Sequence, residues 1–272
     1  MDNSKLAIIG AGVMGEVILS GILDAKLFNP ENLMITALRE TKLDKLHKTF
    51  GVNISTDNRL AAQFADIILL AVKPSDIQNV LAEMQEVGFK KDCLFISIAA
   101  GVSIDKISKS LDGDYPVIRV MTNTPCQVGQ GISAISANQS ASSKHINITQ
   151  EIFNSVGETL ILAEKYLDAV TGLSGSGPAY FYLIAETLID AGVLQGLPRD
   201  VSRKLVVETM LGSALLIKKS DKHPAPLKDM VTSPGGTTIS GLQVMEEYKV
   251  RAALLKVVET ATKRSKELGD LS

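Results

Sequence analysis

The stretch AIIGAGVMGEVI, residues 7–18, constrains this chain more than any other. KLAIIG reads as a short buried strand, and helical sequence follows from Met14 to Ala25. Between them Gly10, Gly12 and Gly15 keep the spacing G-x-G-x-x-G. The first glycine permits the tight turn from strand to helix. The second lets a pyrophosphate approach the backbone, and the third lets the helix pack closely on the strand. Unpaired N–H groups at the helix start then face an anion. The motif predicts a dinucleotide held at Gly10, Ala11, Gly12, Val13, Met14 and Gly15. The plainer alternative is a tight turn and nothing more.

The surrounding pattern agrees with the first reading. LMITAL (33–38), VNIST (52–56), DIILLAV (66–72), CLFISIA (93–99) and YPVIRVM (115–121) read as strands. TKLDKLHKTF (41–50), PSDIQNVLAEMQEV (74–87) and SIDKISKSL (103–111) read as helices between them. Continuous apolar strands alternating with helices imply a parallel sheet covered on both faces. Past residue 163 the pattern changes to long helical runs, 178–191, 198–220 and 249–268, with Gly192 placed as the C-cap of the first. The expectation is an α/β chain in two parts. A Rossmann-type parallel-sheet domain, 1–163, binds the dinucleotide, and an all-helical domain, 164–272, serves dimerisation and substrate binding. FYLIAETLI and LVVETMLGSALLI are more apolar than a domain of roughly 100 residues can bury internally. They suit either a homodimer interface or a compact helical core.

Composition excludes several classes. Lys plus Arg is 28 and Asp plus Glu is 30, and a net charge of -2 argues against non-specific nucleic-acid binding. The two cysteines, Cys93 and Cys126, form neither a disulfide framework nor a metal-ligand spacing. No apolar stretch reaches the ~18 residues a membrane helix needs, and the start lacks a signal-peptide pattern. A soluble, cytoplasmic protein is expected.

The end of the second strand bears on which dinucleotide binds. NAD binders usually carry Asp or Glu there. This chain has Ala37, Leu38 and Arg39, then Glu40. Arg39 and Lys42 suit a 2′-phosphate, whereas Glu40 repels one. NADP is expected and NAD stays open. The other reading of Arg39 and Lys42 is two solvated cations.

GAGVMG, AVKP (71–74), SIAAGVSI (97–104), RVMTNTP (119–125), GLSGSGPAY (172–180) and VTSPGGTTISGL (231–242) occur in this order. Together they resemble the pyrroline-5-carboxylate reductases, over about residues 5 to 268. The chain departs from the family at Thr122, commonly proline, and at Leu38-Arg39, where the family varies. The resemblance implies reduction of 1-pyrroline-5-carboxylate to L-proline by NADPH or NADH, the last step of proline biosynthesis. It implies a helical domain interleaved with a second subunit, so that helical residues of the pair meet the cofactor. It places Ala71, Val72 and Lys73 along the cofactor, Asn58 beside the adenosine ribose, and the backbone of Ile98 and Ala100 near the nicotinamide. It also brings GLSGSG, with Ser176, against cofactor or substrate. Blander roles stay open: a solvated Lys73, Asn58 as a cap, Asn123 as a turn residue rather than a cleft residue, and GLSGSG as a helix-breaking loop.

SPGGTT, residues 233–238, joins two helical stretches. Pro234 rigidifies the approach, the glycines let N–H groups converge, and a helix starting near Thr237 adds its positive end. That assembly suits a carboxylate gathered by Ser233, Gly235, Gly236 and Thr237. The Thr238 hydroxyl is placed to bond the ring nitrogen of the implied imine. A protonated cyclic imine is already electrophilic, so positioning supplies most of the catalysis, and the catalytic contact falls to Thr238. The alternative is a linker between helices. Two other classes stay open. A β-hydroxyacid-type dehydrogenase would need a base from Lys204, Lys218 or Lys219. A non-catalytic dinucleotide-binding protein would bind without turnover.

Overall fold

The computed structural model describes residues 4–271. Among them eight strands form one sheet, in the order β3-β2-β1-β4-β5-β6-β7-β8. The elements run β1 (Leu6–Ile9), α1 (Val13–Asp24), β2 (Leu33–Thr36), α2 (Glu40–Phe50), β3 (Asn53–Ser55), α3 (Asn58–Phe64) and β4 (Ile67–Leu70). Next come α4 (Ile77–Gln85), β5 (Leu94–Ser97), α5 (Ile104–Lys109), β6 (Val117–Met121), β7 (Gly131–Ala137), α6 (Ser143–Asn154) and β8 (Gly157–Ile161). Helices α7 (Leu167–Val170), α8 (Gly177–Leu194), α9 (Arg199–Ser220), α10 (Pro224–Met230), α11 (Thr237–Glu247) and α12 (Val250–Leu271) complete the chain.

The central strands LAII, IILL and LFIS are buried along their whole length, because helices cover both faces of the sheet. Side chains alternate between two cores. Leu6 and Ile8 join Ile18, Leu19 and Ile22 of α1 on one face. Ala7 and Ile9 join Ala61, Leu81 and Phe95 on the other. β1 pairs in parallel with β2 on one side and β4 on the other. The strand order therefore reverses at β1, and a crevice opens beyond the carboxyl ends of β1 and β4, where open α/β sheets bind ligands.

The sheet is larger than the sequence pattern indicates. No element was expected between residues 122 and 163, yet β7, α6 and β8 lie there. β7 runs antiparallel to β6, so the sheet is mostly, not wholly, parallel. Its alternation of Ser and Ala with isoleucine, GISAISA, lacks the apolar run of a buried strand.

The chain packs as two compact units, Met1–Ser176 with Thr260–Ser272, and Gly177–Glu259. In the first, Ser265 of α12 donates to Asp168 Oδ1 at 2.8 Å. Arg119, only 5% exposed, pairs with Glu164 at 3.2 Å. In the second, Gly192 is not a C-cap. α8 continues to Leu194, and a Cβ at Gly192 would lie 2.1 Å from Ser202 Oγ. The glycine is there so that α9 can pack closely on α8. The helices of this unit leave Phe181, Tyr182, Leu183, Leu205, Leu211 and Leu255 exposed. Among the described residues no helix is long and apolar enough to cross a membrane. The same residues contain no group of His, Cys, Asp or Glu suited to a metal.

Candidate active site

The carboxyl end of β1 opens into a cavity of about 640 Å³. Gly10 sits at its base with φ +108°, a conformation an L side chain rarely adopts, and a Cβ there would meet Ala71 O at 2.8 Å. Gly12 is the N-cap of α1 and has no side-chain capping bond. A Cβ at Gly12 would meet nothing within 4 Å. That open volume lies over the first turn of α1, whose N–H groups lack intrahelical acceptors. The cradle fits a pyrophosphate, because the helix end supplies the donors and the missing side chain supplies the room. Gly15 plays the third part: its Cβ would lie 2.2 Å from Gly10 O.

Gly10, Ala11, Gly12, Arg39, Asn58, Ala71, Val72 and Lys73 all line this one cavity. Met14 instead packs against the core beneath it. Val13 faces a different cavity, of about 600 Å³, lined also by Glu16, Ser20, Cys126 and Val156. Ile98 and Ala100 follow β5 at the same edge of the sheet but outside the cavity lining. Arg39 is exposed and has no carboxylate partner among the described residues. Lys42 lies 3.4 Å from Glu16.

The lining also includes Thr36, Thr56, Asp76, Asn79, Val80 and Glu83, none of which stands in a recognisable site motif. Thr36 had a signal, since it is the last residue of a strand that ends at the ligand-binding edge. Glu83 had none, because an acidic residue in mid-helix looks like any solvated one. Thr36 Oγ1 donates to Asn58 Oδ1 at 2.7 Å, and Asn58 Nδ2 donates to Glu83 Oε2 at 2.8 Å. The cap of α3 is Asp57, not Asn58. Hydrogen bonds from the side chain and backbone N–H of Arg59 hold the Asp57 carboxyl below its ordinary value.

Asn123 proves to be a structural tie. Its Nδ2 donates to Ser174 O at 3.2 Å, and its Oδ1 accepts from Ile132 N at 3.1 Å. It fastens the end of β6 to Thr171–Gly175, which winds as one π-turn ending in Ser176. The backbone N–H of Ser176 donates to Thr171 O at 2.9 Å. Thr122, where the family commonly has proline, accepts a bond from Ser133 Oγ at 2.9 Å.

SPGGTT lies in the second unit and opens α11. Gly235 has φ +66°. The Gly236 N–H turns back to Ser233 O at 3.1 Å, and the first helical bond runs from Ser240 N to Gly236 O. The N–H groups of Thr237, Thr238 and Ile239 are therefore left for an outside acceptor. No acidic residue stands in this first turn, and Gly236 offers no side-chain cap. An anion is the natural partner of such a helix end.

The fold and the cradle define a dinucleotide-binding protein of the Rossmann class. The chain belongs to the pyrroline-5-carboxylate reductase family. A family model described as pyrroline-5-carboxylate reductase dimerisation matches residues 164–268, and one described as NADP oxidoreductase, coenzyme F420-dependent, matches residues 5–101. A Synechocystis pyrroline-5-carboxylate reductase is 45% identical, over 97% of this chain and 98% of its own. A Methanosarcina acetivorans relative of the same name is 40% identical, over 99% of both chains. The crystal structure of the Plasmodium falciparum pyrroline carboxylate reductase with NADP bound superposes with a TM-score of 0.89 at 36% identity, covering 99% of each chain.

Proposed function

We propose that this chain reduces 1-pyrroline-5-carboxylate to L-proline with NADPH, accepting NADH less well, as the last step of proline biosynthesis. One observation carries the reading. A glycine cradle shaped for a dinucleotide occurs in a chain whose whole length matches reductases named for that imine. A β-hydroxyacid substrate is not favoured, because these full-length relatives carry the imine reductase name. We divide the work between residues 1–163, for the dinucleotide, and 164–272, for dimerisation and the substrate.

When bound, the dinucleotide supplies a hydride. The residues of the chain do the rest. Gly10 makes the turn, its own N–H spent on Thr36 O, and N–H groups from Ala11 to Gly15, with Gly12, Val13 and Met14 between, hold the pyrophosphate. Arg39 meets the 2′-phosphate and Asn58 the adenosine ribose. Ala71, Val72 and Lys73, then Ile98 and Ala100, carry the cofactor towards its nicotinamide end. Ser233, Gly235, Gly236 and Thr237 hold the substrate carboxylate at the head of α11. The Thr238 hydroxyl fixes the ring nitrogen that ends the reaction protonated, and Ser176 is assigned to substrate binding as well. Orientation lowers the barrier, and no side chain need act as a strong acid. The chain acts as a homodimer or larger homo-oligomer, and we place the reaction in the cytoplasm.

The experiment is NADPH oxidation by purified protein, followed at 340 nm, with pyrroline-5-carboxylate or with a panel of 3-oxo acids such as tartronate semialdehyde. Turnover with the imine alone supports the reading. Turnover with the oxo acids alone supports the β-hydroxyacid class, and tight binding without turnover supports a non-catalytic protein.

A further inference from the structure

The adenosine end of the cavity contains a carboxylate that does not come from β2. Strand β2 ends in Thr36, followed by Ala37, Leu38 and Arg39, with no acid at the position NAD binders use. Glu83, from α4, instead reaches the cavity lining beside Asn58. It grips Asn58 twice. Oε1 accepts the backbone N–H at 3.3 Å and Oε2 accepts the side-chain amide at 2.8 Å. An ionised carboxylate only accepts, so the amide must present nitrogen to Glu83 and oxygen to Thr36, whose Oγ1 donates at 2.7 Å. The chain Glu83–Asn58–Thr36 thus ends three residues before Arg39. No arginine or lysine pairs with Glu83 among the described residues, although Arg59 on the same side pairs with Asp57 and Glu86.

We propose that Glu83 sets the cofactor preference of this chain: it orients Asn58 and places an unpaired negative charge at the end of the cavity where a 2′-phosphate would lie. This rests on reading the cavity as the dinucleotide site. Two effects follow from one side chain. Orientation of Asn58 serves the adenosine of either dinucleotide. The charge counts only against the dinucleotide that carries a phosphate, and it opposes Arg39 and Lys42 in the same lining. Glu83 tempers a selectivity for NADP that the two cations would otherwise make steeper.

The test is equilibrium binding of NADP⁺ and NAD⁺ by isothermal titration calorimetry, for the wild-type protein, Glu83→Gln and Asp76→Asn. A glutamine in place of Glu83 is isosteric and keeps one acceptor for Asn58, so any loss of positioning lowers both affinities and cancels in their ratio. Asp76 lines the same cavity but bonds only Ser75, at 3.0 Å, and is the control for net charge. The expected result is a rise of roughly three- to tenfold in the NADP⁺ to NAD⁺ affinity ratio for Glu83→Gln, shrinking as salt is raised, with a smaller change for Asp76→Asn. A wild type that binds both nucleotides, with an unmoved ratio in Glu83→Gln or an equal shift in Asp76→Asn, overturns the inference alone. A wild type that binds neither overturns the dinucleotide reading and the inference with it.

Discussion

A Cβ on Gly15 would lie 2.2 Å from the carbonyl oxygen of Gly10, so these two glycines of one motif are in backbone contact across the turn. Gly12, between them, has open space where its Cβ would be. The motif therefore separates into a packing position and a ligand position. Gly15→Ala should destabilise the protein by roughly 1–3 kcal/mol, since the turn must open. Gly12→Ala should cost less than about 1 kcal/mol, a capping effect. It should still weaken NADPH binding by about tenfold or more, by filling the cradle. Thermal melts and fluorescence titrations of both variants check the contrast.

Arg39 is exposed at the start of α2 and pairs with no carboxylate among the described residues. Arg39→Ala should raise the Kd for NADPH by roughly one to two decades, the loss of a charge-assisted bond of about 1.5–3 kcal/mol. The Kd for NADH should hardly move. Equal losses for both dinucleotides would remove the 2′-phosphate role from Arg39.

At SPGGTT the two jobs can be pulled apart. A side chain on Gly236 would start 2.3 Å from Ser233 Oγ and 3.2 Å from Ser233 O, so Gly236→Val distorts the N–H cluster. KM for pyrroline-5-carboxylate should rise steeply while NADPH affinity stays near normal. Thr238→Ala leaves the backbone intact, and kcat/KM should fall by roughly one to two decades. If both variants fold, by circular dichroism, and turn over as the wild type does, the stretch is only a linker.

Much of this was legible from sequence because it rests on local rules. Three glycines, an apolar strand before them and a helix after them specify the cradle. SPGGTT announces a helix start at Thr237, and α11 begins there. What was hidden depends on contacts between distant segments. Gly192 looks like a helix stop because the residue it accommodates, Ser202, lies on another helix. β7 and β8 are obscured because GISAISA and GETLI carry too many small and polar residues to stand out as apolar runs; β7 joins the sheet by pairing with β6, and β8 by pairing with β7. Glu83 is meaningful only once Asn58 is seen against it.

The exposed apolar residues of α8, α9 and α12 predict self-association. Sedimentation at micromolar concentration should show a dimer or a larger species. Phe181→Glu, at a side chain 59% exposed, should shift the distribution towards the 29.1 kDa monomer and reduce activity. A wild-type monomer that is fully active would contradict the homo-oligomer.

Burial pushes the Cys93 thiol up to about 12, from an ordinary 9.0. The folded chain keeps the proton where the unfolded chain gives it up. This contribution to stability is therefore complete below the unfolded value and is lost as pH rises from there towards the folded one. The denaturation midpoint should fall between about pH 9 and 11, and fall less in Cys93→Ala. Thiol reagents should label Cys93 at neutral pH only after denaturation. Rapid labelling of the native protein at Cys93 would contradict its burial.

The most direct test of the central claim is a product balance. Purified protein is given racemic 1-pyrroline-5-carboxylate and limiting NADPH, and L-proline is quantified by chiral chromatography against the NADPH consumed. The account predicts one L-proline per NADPH, with the yield collapsing in Thr238→Ala over the same interval. NADPH consumed without proline, or no imine-dependent consumption by a folded protein that binds NADPH, would contradict it.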